Sequence, residues 1–160
     1  MRGVLHRLER TLVLHAELGT VWEFFADPRN LPEITPPWLD LRLVSPVPDR
    51  MYPGLLLEYR VRPFGGLAWP WVAEITHIRE GSLFVDEQRL GPYRLWHHEH
   101  HFRIVPGGVE VRDLVVYALP GGWLGDRLLA ASVARRLEAI FQFREVAVRR
   151  RFSGSEGPGV

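Results

Sequence analysis

Trp96-His97-His98-Glu99-His100-His101-Phe102 lies inside a longer run, Tyr93 to Val105, which is followed by Gly107-Gly108 and a second run, Val109 to Leu119. A strand turns successive side chains to opposite faces. His98 and His100 therefore fall with Trp96, Phe102 and Ile104, while His97 and His101 fall with Leu95, Glu99 and Arg103. The first set is the more apolar and is assigned to the interior; the second is assigned to solvated surface. Gly107-Gly108 is a hairpin signal. Taken as a two-residue turn, it pairs Ile104 with Val111, Phe102 with Asp113, His100 with Val115, His98 with Tyr117 and Trp96 with Leu119. All of these point inward, and Asp113 becomes a diagonal neighbour of His100.

Upstream, the chain continues to read as strands. Leu83 to Gln88 places Phe84, Asp86 and Gln88 on one face, and Gly91-Pro92 breaks it from the histidine run. Trp71, Ala73 and Ile75 share a face before the Glu80-Gly81 turn. Leu55 to Arg62 puts Leu55, Leu57, Tyr59 and Val61 together, followed by the turn Pro63-Phe64-Gly65-Gly66. Leu39 to Val44 alternates in the same way, and Leu5 to Leu14 reads as the first strand. Between those two, Thr20 is placed as the cap of a short helix, Val21 to Ala26, which Pro28 ends; Asn30 to Ile34 forms a second helical turn.

After Pro120-Gly121-Gly122 the period becomes helical: Leu129, Val133, Leu137, Ile140 and Arg144 recur at three and four residues. A helix of about 25 residues would run close to 40 Å, enough to cross a small sheet. The only large cover for the apolar sheet face is this helix. The predicted fold is α+β, a curved antiparallel sheet wrapped around a long C-terminal helix. Residues 1–152 form one domain in this reading, and 153–160 a flexible tail.

Composition narrows the function. Twenty basic residues against 19 acidic ones leave a net charge of +1, which speaks against a polybasic nucleic-acid binder. With no cysteine there is no disulfide, thiol nucleophile or cysteine–zinc site. All the basic residues are Arg, so lysine-base and Schiff-base chemistry are excluded. Asn occurs once and Gln only at 88 and 142, which fits both a thermostable protein and Arg-rich coding by a GC-rich genome. No apolar stretch reaches the length of a membrane span, and the first seven residues turn charged too early for a signal peptide. The expected location is the cytoplasm. Phosphate-binding loops, dinucleotide fingerprints and Gly-x-Ser-x-Gly elbows are absent.

The predicted interior holds Asp86, Gln88, His98, His100 and Asp113 among Tyr59, Trp71, Phe84, Trp96, Phe102 and Tyr117. Buried polar groups need partners, and three readings stay open. The first is a structural network, with His100 held by Asp113 and His98 by Tyr117. The second is a set of polar anchors orienting an apolar ligand. The third is a metal or catalytic dyad, since His-x-His plus a carboxylate can bind zinc; no metal or other cofactor is assigned. Trp22, Phe24 and Phe25 are either gates of a cavity mouth or plain core. The loops at Pro36-Pro37-Trp38 and Pro63 to Gly66 are either entrance lips or ordinary turns. Arg127, Arg135 and Arg136 are either sites for an anionic head group or a solvated helix face.

Phe84-x-Asp86-x-Gln88-x-x-Gly91-Pro92-Tyr93-x-x-Trp96-x-His98-x-His100-x-Phe102, followed by Gly108, Asp113, Tyr117 and Pro120, resembles the START-like SRPBCC superfamily, and within it the bacterial ligand-binding SRPBCC proteins. It is more loosely similar to polyketide cyclases and coenzyme-Q-binding START proteins. Val21 to Pro28 with Asn30-Leu31 looks like the superfamily's opening, and the resemblance spans about residues 4 to 152. It implies a helix-grip fold, with a seven-stranded antiparallel sheet gripping the C-terminal helix over a deep cavity. Members bind lipids, polyketides, sterols, quinones or plant hormones, and a minority catalyse cyclisation or hydrolysis. The leading expectation is a carrier of a small hydrophobic molecule, with the eleven interior residues named above as ligand contacts. An enzyme using His100 as base with Asp113 comes second. Third is an interaction module that docks a protein or a second copy of itself as a homodimer.

Overall fold

The computed structural model describes residues 4–63 and 66–153. Its strands are β1 (His6–Leu14), β2 (Arg42–Leu43), β3 (Leu55–Val61), β4 (Trp69–Arg79), β5 (Leu83–Leu90), β6 (Leu95–Val105) and β7 (Gly108–Ala118). Its helices are α1 (Leu18–Phe25) and α2 (Gly122–Ser153), with 3₁₀ turns at Pro28–Ile34 and Pro37–Leu39. The strands form one antiparallel sheet in the order β1-β7-β6-β5-β4-β3-β2. Five consecutive hairpins therefore run from β2 to β7, and the first strand closes the far edge against the last. This is the helix-grip architecture.

The alternation read from the sequence holds where it matters. Leu55, Leu57, Tyr59 and Val61 are buried along β3, and Trp96, His98, His100 and Phe102 along β6. Ile104 leaves the pattern: it is 72% exposed, past the last β5–β6 pair at Leu83 and His101, although Val109 opposite it is buried. The β6–β7 turn is centred on Pro106-Gly107, with Val105 opposite Gly108. Gly107 takes φ 90° after a proline, the arrangement of a tight turn that needs glycine in second place. Moving the turn back by one residue moves every partner by two. Phe102 faces Val111, His100 faces Asp113, His98 faces Val115 and Trp96 faces Tyr117. A two-residue shift preserves faces, so the inward set survives while Asp113 comes directly opposite His100. Gly108 is needed for another reason: with φ 146°, a Cβ there would collide with the Leu14 carbonyl oxygen at the β1 edge.

Three local expectations change. Helix α1 begins at Leu18, with Glu17 as an uncapped N-cap, so Thr20 lies inside it; Leu18 packs on the buried core cluster and extends the helix backwards. Leu39 closes a 3₁₀ turn rather than opening a strand, leaving only Arg42–Leu43 to pair with β3. Helix α2 has 32 residues and not about 25. Leu129 is 41% exposed and lies off the face that the helix buries. The buried stripe is instead Val133, Leu137, Phe141, Arg144, Val148 and Phe152, a run of three- and four-residue steps. Ser153 ends this helix, and the rest of the expected tail lies outside the described residues.

The interior divides into three buried clusters. One joins α1 and the end of α2 to the sheet through Phe24, Phe84, Phe102, Val111 and Phe152. Another joins the middle of α2 to β6 and β7 through Trp96, Val115, Tyr117, Val133, Leu137 and Phe141. The third lines β3 and β4 with Leu55, Leu57, Tyr59 and Ile75. Trp22 meets Phe84 and Phe102 edge-on at 5.9 and 5.3 Å, and packs on the core while partly buried.

Candidate functional site

A cavity of about 180 Å³ opens between sheet and α2, and all three clusters contribute to its walls. Phe24, Ile34 and Phe84 come from the first, Trp96, Val133, Leu137 and Phe141 from the second, and Leu57, Tyr59 and Ile75 from the third. Trp71 adds an edge-to-face contact with Trp96 at 5.4 Å. Phe25 is also a wall residue. At the rim, Arg136 of α2 donates to the Pro63 carbonyl and lies 5.4 Å over the Trp38 ring. The helix thus ties together the two loops read as lips, although Phe64 and Gly65 lie outside the described residues.

One wall is polar. β5 brings Asp86 and β6 brings His98 and His100, while β7 sets Asp113 behind them, all by strand phase alone. His98 Nε2 lies 2.9 Å from Asp113 Oδ1, and its Nδ1 lies 3.5 Å from Asp86 Oδ2. His100 Nε2 lies 2.8 Å from Asp86 Oδ2, and its Nδ1 3.0 Å from Asp113 Oδ1, though off the line of a hydrogen bond. Two carboxylates and two imidazoles thus close a ring. The His98 and His100 rings stand 3.8 Å apart, with Phe84 stacked 4.0 Å from His100.

The ring's charges follow from its geometry. Burial works against ionising Asp113, but bonds from His100 and His98 outweigh it and hold the carboxyl well below the usual range. Asp86 is lowered in the same way: burial opposes, and the charge and bonding of His98 and His100 prevail. Burial also opposes a proton on His100, yet the close carboxylates of Asp113 and Asp86 raise its pKa. For His98, burial and the neighbouring His100 charge win, and its pKa falls. Facing a carboxylate, His100 donates from Nε2 to Asp86. His98 is neutral and donates from Nε2 to Asp113, leaving Nδ1 with a lone pair at the longest distance in the ring.

Asp86, His98 and His100 each offer a ligand atom, all within 4.8 Å of one another, so this is where a divalent cation would sit among the described residues. Asp113 would then orient the imidazoles from behind. Against a cation stands a further charge that sequence reasoning left unassigned. Arg144, on the inward stripe of α2, is 8% exposed and is one of the cavity's walls. Its NH1 lies 3.7 Å from Asp113 Oδ1 and its guanidinium 4.9 Å over Phe141.

Of the eleven residues expected to contact ligand, Tyr59, Trp71, Phe84, Asp86, Trp96, His98 and His100 stand in the wall. Gln88, Phe102, Asp113 and Tyr117 do not. Gln88 clamps the β5–β6 connection, donating from Nε2 to the Tyr93 carbonyl at 2.7 Å and accepting the Tyr93 N–H at 3.2 Å. A Cβ on Gly91 would occupy the place of that clamp. Phe102 lies deeper, against Trp22 and Phe25. Asp113 sits behind both histidines. Tyr117 faces Trp96 across the strands rather than pairing with His98, and stacks on His6 at 5.0 Å. Arg127 and Arg135 are exposed. Among the described residues no helix is long and apolar enough to cross a membrane.

A sheet gripping a helix over an apolar cavity with one polar wall defines a helix-grip protein of the ligand-binding type. Residues 14–142 match the family described as polyketide cyclase / dehydrase and lipid transport, and the chain belongs to that family. No curated protein matches it. Among solved structures it is similar to protein Ms6760 of Mycobacterium smegmatis, at 17% identity and a TM-score of 0.67, covering 94% of this chain and 92% of that one. Norcoclaurine synthase of Thalictrum flavum, a point mutant in complex with a transition-state analogue, shares 11% identity at a TM-score of 0.65, over 94% and 99% of the two chains. The di-domain ARO/CYC StfQ of the steffimycin biosynthetic pathway shares 13% at 0.68, over 94% of this chain and 51% of that one. At these identities the likeness is one of fold.

Proposed function

We propose that the protein binds and carries a small hydrophobic molecule between its sheet and α2, with residues 1–152 acting as one binding domain. The observation that carries this reading is the make-up of the cavity: most of its lining is apolar and aromatic, and Asp86, His98 and His100 form one compact polar patch in it. Apolar contact supplies roughly 25 cal/mol per Å² buried, and Asp86, His98 and His100 orient the polar end of the ligand. An enzymatic role for His100 as base is less well supported, because both of its nitrogens already face carboxylates at 3.0 Å or less. The lone pair nearest to free is Nδ1 of His98, and a base in this cavity would be that atom.

Native mass spectrometry of the purified chain, followed by solvent extraction, tests the reading. A stoichiometric apolar molecule that leaves on extraction is the expected result. A clean mass with no shift after challenge with a mixed lipid and quinone extract would overturn it.

A further inference from the structure

We infer that the ligand is an aromatic monocarboxylate whose carboxylate is received by Arg144, an inference that rests on the small-ligand reading above. Arg144 is more than nine-tenths buried, and its Nε and NH1 have no hydrogen-bond acceptor. Its nearest carboxylate oxygen, Asp113 Oδ1, is too distant at 3.7 Å and is already engaged by His98 at 2.9 Å. Balancing the charge of Asp86 and Asp113 would explain a cation here. It does not explain donors left unmet beside a cavity. Buried guanidinium donors are rarely left without acceptors. A ligand oxygen reaching the guanidinium from the cavity would supply the missing acceptor.

The chemistry of that ligand is constrained from three sides. A guanidinium is planar and matches the two coplanar oxygens of a carboxylate. A dianion such as a phosphate monoester would meet one guanidinium set beside the carboxyl groups of Asp113 and Asp86. Size sets the third limit. A dry cavity of roughly 150 Å³ holds one benzene, so about 180 Å³ takes one or two rings rather than a sterol. Trp71, Trp96, Tyr59 and Phe141 offer ring faces and edges to such a body.

Calorimetry with 2-naphthoate and 2-naphthamide, which have nearly the same shape and differ in charge, tests the inference on the full chain. The acid should bind about ten- to a hundredfold more tightly than the amide, the range expected for hydrogen bonds to a charged group. Arg144→Gln should remove that preference and leave amide binding in place. Arg144→Lys, which keeps the charge without the planar fork, should fall between. Should Arg144→Gln fail to fold, the acid–amide comparison in the native chain and in Arg144→Lys decides. Equal binding of acid and amide by the native chain overturns the role of Arg144 and leaves the cavity reading standing. No binding of either, together with no apolar molecule in the extract, removes both.

Discussion

On β5 and β6 the inner face carries Asp86, His98 and His100, and the outer face, one residue out of step, carries Glu87, His97, Glu99 and His101. The residue types are almost the same, and so are the distances. Outside, His97 lies 2.8 Å from Glu87 and 3.1 Å from Glu99, and His101 lies 2.7 Å from Glu99. The outer side chains keep 29 to 37% of their exposure, whereas His98, His100 and Asp113 keep 3 to 7% and Asp86 keeps 18%. In water such pairs are worth about 0–1 kcal/mol. In the interior an isolated charge is costly, so each member of the inner ring is held in one protonation state by the others. Equal contacts thus give a loosely coupled surface and a tightly coupled site.

The largest test of that contrast is Asp113→Asn. It keeps the shape but leaves His100 and Arg144 beside one carboxylate instead of two. Breaking a buried ionic network from one side costs about 3–5 kcal/mol. At about 2–4 °C per kcal/mol for a chain of this size, Tm should fall by roughly 10 °C. Denaturant unfolding of both proteins measures it, and a loss under about 1 kcal/mol would place the inner ring on a level with the outer one.

The next effect is on pH dependence, and the two histidines pull in opposite directions. His98 has its pKa below the ordinary 6.5, so as pH falls under 6.5 the unfolded chain takes a proton that the folded one refuses, and stability drops. His100 has its pKa above 6.5; its contribution is complete below that value and is lost as pH rises through the folded value. The ring should therefore be most stabilising near its crossing point, with limbs of up to about 1.4 kcal/mol per pH unit on either side. His98→Gln should flatten the acid limb and His100→Gln the alkaline one. If both variants flatten the same limb, the assignment of charge between the histidines is wrong.

How far the sequence foretold this is instructive. The inward histidines and Asp86 were legible because strand phase depends only on parity. Placing the turn on Gly107-Gly108 instead of Pro106-Gly107 shifted partners by two and left faces alone. Partnership was not legible for the same reason: whether Asp113 stands opposite or diagonal to His100 depends on one turn residue. Arg144 shares its periodic stripe with Val133 and Leu137, yet a stripe cannot tell a buried guanidinium from one that reaches past the edge to water. Gln88 was placed on the right strand but spends its side chain on the Tyr93 backbone, a local bond that periodicity does not carry.

The smallest effect belongs to the outer face. Glu99 accepts from His97 and His101 at once, so Glu99→Gln removes both of those pairs. Its pKa is lowered because the bonds from His101 and His97 outweigh its partial burial, and its contribution is present above the ordinary 4.5 and lost as pH falls through the folded value. Burial works against a charge on His97, but Glu87 and Glu99 raise its pKa, and its contribution is complete only below 6.5. The pairs are therefore strongest between those two values, and that is where the variant should be compared. Even there the loss should stay within about 1 kcal/mol. It should also shrink in about 1 M salt, where the screening length falls to roughly 3 Å, while the loss in Asp113→Asn persists because salt does not reach the ring. A salt-resistant loss in Glu99→Gln would mean that burial is not what separates the two faces, and the strand geometry they share would have to account for both.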